Sequence, residues 1–296
     1  MKLLVTGATG FVGRHLIKLL LHKDYDLHVI VRLKSDTSAI DSRINIFKYD
    51  ENIDSLIQYF QNEKFYGVIH LASLFLTSHT QTDISDLINS NIKFGTELLE
   101  ACKQSNVRWF INTGTFWQNY ENSDYNPVNL YAATKEAFQS VAKYYTETSP
   151  LIFTTLKLND TFGANDTRNK IFNFWSKIAK TGEILEMSMG EQLIDISYIE
   201  DVCSAYVVLI EHLNSENAND FNTKIFAVKS NEKISLKELA ALFEEATSTT
   251  LKIKWGQRSY REREIMNPWD KGETVPYWKP SYSLKQAILK TIENTE

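Results

Sequence analysis

The run Lys2-Leu3-Leu4-Val5-Thr6-Gly7-Ala8-Thr9-Gly10-Phe11-Val12-Gly13 constrains this chain more than any other stretch. A short apolar strand bends through three glycines into a segment whose apolar residues Phe11, Val12, Leu16, Leu19 and Leu20 recur at helical spacing. A strand, a glycine turn and a helix N-terminus together form a pocket for a pyrophosphate. The first N–H groups of the helix point outward, and its dipole favours negative charge. Gly7 allows the tight turn, Gly10 lets the backbone approach phosphate, and Gly13 lets the helix pack on the strand. A glycine-rich turn alone says little; in this setting it predicts a dinucleotide site.

The alternation of apolar runs extends this unit. Strands are expected at Leu3–Thr6, Leu27–Val31, Gly67–Leu71, Trp109–Thr113 and Phe153–Leu158, with helices at Val12–Leu21, Ser55–Gln61, Asp86–Ser105 and Val128–Thr146. That is the rhythm of a parallel sheet with crossover helices. After Gly163 it breaks down. An asparagine-rich stretch, Ala164–Lys170, precedes a helix at Ile171–Thr181, and further elements are expected at Ile199–Leu213 (helix), Lys224–Val228 (strand) and Ser235–Thr247 (helix). The tail Trp255–Lys279 lacks clear periodicity. The expected fold class is α/β: a Rossmann-type doubly wound parallel sheet with a smaller C-terminal substrate-binding lobe. Residues 1–163 make the dinucleotide-binding domain, with 199–228 returning to it, and residues 164–198 and 229–296 make the lobe.

Composition removes other classes. The net charge is −5 and no long basic run offsets it, which argues against nucleic acid or anionic membranes as partners. Cys102 and Cys203 both fall in apolar, helix-like stretches and read as buried free thiols of a reducing compartment. His70 and His79 lack clustered partner ligands, so no metal is expected. No apolar run approaches ~18 residues and the N-terminus enters a strand at once, so a cytoplasmic location is expected.

Two further positions carry chemistry. Tyr131 and Lys135 are four residues apart, on one face of a helix entered through Asn126-Pro127. A phenol with a pKa near ~10 is a poor acid at neutral pH, and a neighbouring ammonium stabilises its phenolate. At the end of the second strand, His28-Val29-Ile30-Val31-Arg32 carries no acid to accept a ribose 2′-hydroxyl. Arg32 instead offers a fork for a 2′-phosphate, so NADP(H) is the expected cofactor. The alternative is a solvated arginine beside an NAD site.

The spacing Gly7-x-x-Gly10-x-x-Gly13, with Tyr131-Ala132-Ala133-Thr134-Lys135 mid-chain, resembles the extended short-chain dehydrogenase/reductase family, the NAD-dependent epimerase/dehydratases. The resemblance covers nearly the whole chain. It implies an enzyme that binds NAD(P) through Gly7, Thr9, Gly10, Phe11, Val12 and Gly13 and acts on a nucleotide-diphosphate sugar. It adds Leu71, Ala72 and Ser73 beneath the nicotinamide ribose, Asn91 nearby in a structural role, and Asp50 on the adenine amine, although a plain turn aspartate suits Asp50 equally. Catalysis falls to Tyr131 and Lys135, with Lys135 also on the ribose, and to Thr113 as the hydroxyl that polarises the carbonyl. Thr115, on the same strand face, is the second choice and is otherwise a substrate contact. Gly114-Thr115 stands where dehydratases of the family carry an Asp-Glu pair, which argues against elimination.

In the second lobe, Gly190-Glu191-Gln192-Leu193-Ile194-Asp195 resembles the sugar-nucleotide segment, with Ile194 where an arginine is usual. Arg261 matches the family's diphosphate-binding arginine, and Asn159, Lys170 and Gln192 are further expected substrate contacts. Together with Asp166…Lys170-Ile171-Phe172, these motifs most resemble a narrow branch, the CDP-abequose and CDP-paratose synthases. The implied activity is NADPH-dependent reduction at C4 of a nucleotide-linked 4-keto-deoxyhexose for O-antigen (lipopolysaccharide) sugars. An NAD-dependent nucleotide-sugar 4-epimerase is the nearest alternative; a reductase of a free carbonyl compound and a non-catalytic NADP sensor follow. By the same resemblance the chain is expected to form a homodimer through the helices at Asp86–Ser105 and Val128–Thr146.

Overall fold

The computed structural model describes residues 1–230 and 232–293. Its first half runs β1 (Lys2–Thr6), α1 (Phe11–His22), β2 (Asp26–Arg32), β3 (Asn45–Tyr49), α2 (Ile53–Glu63), β4 (Gly67–His70), α3 (Ile84–Ile88), α4 (Phe94–Gln104), β5 (Trp109–Thr115), α5 (Leu130–Thr148) and β6 (Ile152–Leu158). The second half adds β7 (Asp160–Phe162), α6 (Ile171–Thr181), β8 (Leu185–Glu186), β9 (Leu193–Ile194), β10 (Ile196–Tyr198), α7 (Ile199–Leu213), β11 (Ile225–Val228), β12 (Ile234–Ser235), α8 (Leu236–Thr247), β13 (Ile253–Lys254) and α9 (Leu284–Glu293).

Seven strands form one all-parallel sheet in the order β11-β6-β5-β4-β1-β2-β3, the expected Rossmann-like arrangement. β1 reads Leu-Leu-Val because both of its faces are covered. Leu3 and Val5 join Leu16, Leu20, Val202 and Tyr206 of α1 and α7 in one core, and Leu4 joins Leu56, Leu98, Phe110 and Phe138 in the other. Each such apolar side chain contributes about 1.5–3 kcal/mol on burial. The chain winds outward from β1 to β3, then returns to β4 and winds the other way. The strand order therefore reverses between β1 and β4, and the crevice above their C-terminal ends is where such a sheet takes a ligand.

The remaining strands make three two-stranded pairs, β7 with β10, β9 with β12, and β8 with β13. Around them the aromatic stripe of α6 meets α8, with Phe172 and Phe243 stacked at 5.7 Å. α9 adds Ile288 to the same core. Among the described residues, no helix is long and apolar enough to cross a membrane.

Two expected helices differ from the sequence reading. The one placed at Asp86–Ser105 is interrupted, because Asn89–Lys93 forms a single π-helical turn between α3 and α4. That turn rotates Asn91 inward, where it is almost fully buried. The helix placed from Val128 begins at Leu130, because Asn129 caps it by accepting the Ala132 N–H at 3.0 Å.

Candidate active site

The three glycines are required by what surrounds them. Gly7 sits at φ +71°, and a Cβ on it would lie 2.7 Å from the Ala72 nitrogen. A Cβ on Gly13 would land on the Gly7 carbonyl oxygen. A Cβ on Gly10 would meet that same oxygen at 3.2 Å, a tight contact, with no other atom close by. The Gly10 cap of α1 carries no side-chain hydrogen bond, and no acid sits in the first turn. An open, uncapped helix start over a cradle of glycines fits the diphosphate of a dinucleotide. The turn after β4 lies directly beneath: the Leu71 N–H donates to the Thr6 carbonyl at 3.3 Å and the Ala72 N–H to Thr6 Oγ1 at 3.2 Å.

His70, at the end of β4, is fully buried in the sheet. Its Nδ1 lies 2.8 Å from Thr6 Oγ1, and Phe94, Phe110 and Phe138 ring it. Burial first, and then the charge of Lys135, holds it well below the usual histidine range, so it is neutral. Among the described residues no group of three His, Cys, Asp or Glu side chains is placed to hold a metal ion.

Arg32 ends β2 at the crevice rim and is exposed. Arg14, which the sequence reading did not single out, stands in the first turn of α1, with its Nε donating to the Thr9 carbonyl at 2.8 Å. It reaches the loop after β2: the Asp36 carboxyl is lowered first by Ser38 and in smaller part by Arg14. Asp50 Oδ1 accepts from the Asn52 N–H at 3.2 Å and the Ser55 hydroxyl at 3.0 Å, so that oxygen serves the start of α2.

Tyr131 and Lys135 share the inward face of α5 at its first turns. Lys135 is 1% exposed. Burial pulls its ammonium down to about 8 and pushes the Tyr131 phenol up to about 12. Ser73 and Thr115 hydrogen-bond the phenol and lower it, and Lys135 is not among the groups that do. The choice of Thr113 as the partner hydroxyl is corrected here. Thr113 Oγ1 lies 2.7 Å from the Tyr206 hydroxyl of α7, one alternation short of the strand end. Thr115, at the end of β5, is the threonine that meets Tyr131.

Asn91 is not placed as a cofactor contact; both ends of its amide are used by the protein. Oδ1 accepts from the Leu74 N–H at 2.8 Å and lies 3.1 Å from Ser73 Oγ, while Nδ2 donates to the Leu74 carbonyl at 3.0 Å and to Thr134 Oγ1 at 2.9 Å. Asn91 thus ties the loop carrying Ser73 to the helix carrying Tyr131.

Beyond Tyr131 a cavity of about 580 Å³ opens into the lobe, lined by Phe75, Trp117, Asp160, Lys170, Gln192 and Arg261 among others. Phe75 meets the Tyr131 ring edge-on at 5.0 Å and the Trp117 ring at 5.4 Å, forming an aromatic wall. Lys170 stands over Phe75 at 5.0 Å and pairs with Asp160 at 2.7 Å. Arg261 lies 5.5 Å from the Trp117 ring and pairs with Glu264 through Nε at 2.9 Å and through a terminal nitrogen at 2.8 Å. Gln192 is buried at the same cavity. Asn159 does not line it; Asp160, the next residue, does. Successive residues of extended chain face opposite ways, so a one-residue step exchanges them. Asn159 Nδ2 is buried with no hydrogen-bond partner among the described residues.

Comparison with known proteins places this arrangement. The chain is 28% identical over 298 residues to a CDP-abequose synthase of Salmonella muenchen, covering 100% of this chain and 98% of that protein. It is 26% identical over 296 residues to one of Yersinia pseudotuberculosis, covering 99% and 100%. Among solved structures, UDP-glucose 4-epimerase from Thermotoga maritima with UDP-glucose superposes at a TM-score of 0.85 with 18% identity, covering 99% of this chain and 98% of that one. UDP-glucuronic acid 4-epimerase from Bacillus cereus with UDP-glucuronic acid and NAD does so at 0.85 with 21% identity and the same coverage. The family model described as the NAD dependent epimerase/dehydratase family matches residues 3–223, and the chain belongs to that family.

Proposed function

We propose that the chain is an NADPH-dependent reductase of the C4 carbonyl of a nucleotide-linked 4-keto-deoxyhexose, of the CDP-3,6-dideoxyhexose type used in O-antigen or other surface polysaccharides. One observation carries this reading: the Tyr131 phenol, hydrogen-bonded by Ser73 and Thr115, packs against Phe75, and Phe75 lines a cavity that Lys170 and Arg261 also line. The full-length similarity to CDP-abequose synthases supports the same substrate class. The Phe75–Trp117 wall beside Tyr131 suits a sugar that presents C–H rather than O–H groups to it.

Burial keeps the Tyr131 phenol protonated at neutral pH, ready to give its proton to the C4 oxygen. Thr115 donates a hydrogen bond to the same oxygen and steadies the charge that grows there. Lys135 holds the nicotinamide ribose, and Ser73, whose hydrogen bond lowers the Tyr131 phenol, favours the phenolate left behind, which water then reprotonates. A reduced nicotinamide, when bound, supplies the hydride. Arg32, with Arg14 from the first turn of α1, receives the 2′-phosphate, and Asp50 keeps one oxygen for the adenine amine. Lys170 and Arg261 hold the diphosphate, so Lys170 makes up for the arginine that Ile194 replaces. Residues 1–163 with 199–228 carry the cofactor, residues 164–198 and 229–296 carry the sugar nucleotide, and the enzyme works in the cytoplasm as a homodimer through α4 and α5.

The second reading, an NAD-dependent 4-epimerase, is favoured by the solved structures that share the fold. An NADPH-oxidation screen against CDP-, dTDP-, GDP- and UDP-linked 4-keto-6-deoxysugars, and CDP-4-keto-3,6-dideoxyglucose, separates the two. The expected result is stoichiometric NADPH consumption with a CDP-linked substrate and one C4 configuration by NMR. Tightly bound NAD in the purified protein, with no net NADPH consumption, would favour the epimerase.

A further inference from the structure

Behind the Tyr131–Thr115 pair lies a buried polar cluster to which the reaction gives no part. Gln118 is fully buried three residues after Thr115. Its side-chain oxygen accepts the Thr115 N–H at 2.9 Å, and its own backbone N–H donates to Thr115 Oγ1, closing a reciprocal capping box around the 3₁₀ turn Phe116–Gln118. Thr115 Oγ1 also accepts the Trp117 N–H at 3.3 Å. The amide end of Gln118 is held in turn: Nε2 donates to Glu136 Oε2 at 2.5 Å. Glu136 follows Lys135 on α5, so Gln118 links the strand end carrying Thr115 to the helix carrying Tyr131. Lys157 of β6 closes the cluster, with Nζ donating to Asn119 Oδ1 at 2.7 Å and lying 5.0 Å from the Trp269 ring. The packing leaves no slack, because a Cβ on Gly114 would lie 2.8 Å from Lys157 Cγ and 2.9 Å from Gln118 Oε1.

A threonine hydroxyl has one proton and two acceptor sites. Here two backbone N–H groups occupy both acceptor sites, and the one proton is left for the Tyr131 oxygen, whose place a substrate oxygen would take. We propose that Gln118 is a positioning residue which, held by Glu136, makes Thr115 an obligate hydrogen-bond donor and fixes it in register with Tyr131. The inference rests on the reading of Thr115 as the hydroxyl that polarises the substrate carbonyl.

The test compares Gln118→Met, Gln118→Asn, Thr115→Val and the double variant Thr115→Val/Gln118→Met in the full chain. NADPH oxidation with CDP-4-keto-3,6-dideoxyglucose gives kcat and KM, and NADPH fluorescence gives cofactor affinity. Thr115→Val is expected to cut kcat by about 100-fold. Gln118→Met and Gln118→Asn, whose amide falls one methylene short, are expected to cut kcat by about 10- to 50-fold with KM and NADPH affinity within about threefold. The double variant should be no slower than Thr115→Val alone, because both act through one hydroxyl. Gln118→Asn keeps a buried amide and carries the test should the methionine variant fail to fold. Parental kcat in the Gln118 variants, or a fully additive loss in the double variant, overturns the inference alone. Parental kcat in Thr115→Val overturns both it and the site reading beneath it.

Discussion

The Thr113 hydroxyl lies 2.7 Å from that of Tyr206, a pairing that turns it toward α7, while Thr115 is the threonine that hydrogen-bonds the Tyr131 phenol. Tyr206 is fully buried, so losing its partner leaves a phenol unsatisfied in the core. Thr113→Val is therefore expected to lower unfolding stability by about 1–2 kcal/mol while leaving kcat within about threefold. Thermal melts beside steady-state rates check this; a large kcat loss at unchanged stability would return Thr113 to the reaction.

Tyr131→Phe removes the proton donor and little else, since the ring keeps its edge contact with Phe75. The expected outcome is a fall in kcat of at least about 1000-fold with NADPH affinity within about threefold. Turnover at the parental rate would refute the role of the phenol.

Lys135 links stability to pH. Burial lowers its pKa from 10.5 to about 8. Below about pH 8 the ammonium is desolvated when folded and hydrated when unfolded, so it opposes folding in full. Between that value and 10.5 the folded chain binds fewer protons than the unfolded one, and stability rises with pH; above it both states are neutral. Lys135→Met should thus stabilise the cofactor-free protein by about 1–3 kcal/mol at pH 7 and abolish turnover. The stability gain should vanish above the ordinary lysine range. Urea denaturation at both pH values measures it.

Arg32 is exposed at the end of β2, so changing it leaves the fold intact. Arg32→Asp is expected to cut kcat/KM with NADPH by about 10- to 100-fold and to change that with NADH far less. An unchanged NADPH:NADH preference would move the selection of cofactor elsewhere.

Gly10 and Gly13 separate binding from folding. Gly10→Ala asks the Gly7 carbonyl to shift by only a few tenths of an ångström but fills the approach to the phosphate, so it should weaken NADPH binding at least about 10-fold while lowering the melting temperature far less than Gly13→Ala. Gly13→Ala drives a methyl into the Gly7 carbonyl oxygen and should fail to fold. Calorimetric titration and thermal melts distinguish the two.

The sequence showed most where one residue type has one physical use. Gly7 faces the turn at Ala72 while Gly10 and Gly13 both face the Gly7 carbonyl oxygen, and α6 runs over Ile171–Thr181 as its apolar stripe predicts, ended by Gly182 at φ +69°. It was ambiguous where two candidates share a face. Thr113 and Thr115 differ by one strand repeat of ~7 Å, and the entry point of α5, a tertiary matter, decides between them. Asn159 and Asp160 exchange through strand parity at the break between β6 and β7. The π-helical turn at Asn91 breaks no helix propensity and leaves no local trace. Gln118 did carry a signal, the capping-box spacing Thr115-x-x-Gln118, but its clasp on Glu136 joins residues 18 apart and is visible only in three dimensions. The aperiodic tail was opaque because its order comes from partners distant in the chain.

Those partners make the tail more than an appendage. Trp269 packs edge-on against Phe116 at 5.2 Å, Asn122 and Asp270 exchange hydrogen bonds at 2.7 and 3.1 Å, and Arg263 rests 4.3 Å from the Tyr120 ring. The segment that covers the Thr115 loop is thus supplied from far downstream in the chain. Without Trp269 the glycine turn at Gly7, Gly10 and Gly13 would keep its own neighbours while Phe116 and Lys157 became wet, so the opening turn and the Thr115 loop owe their order to different parts of the chain.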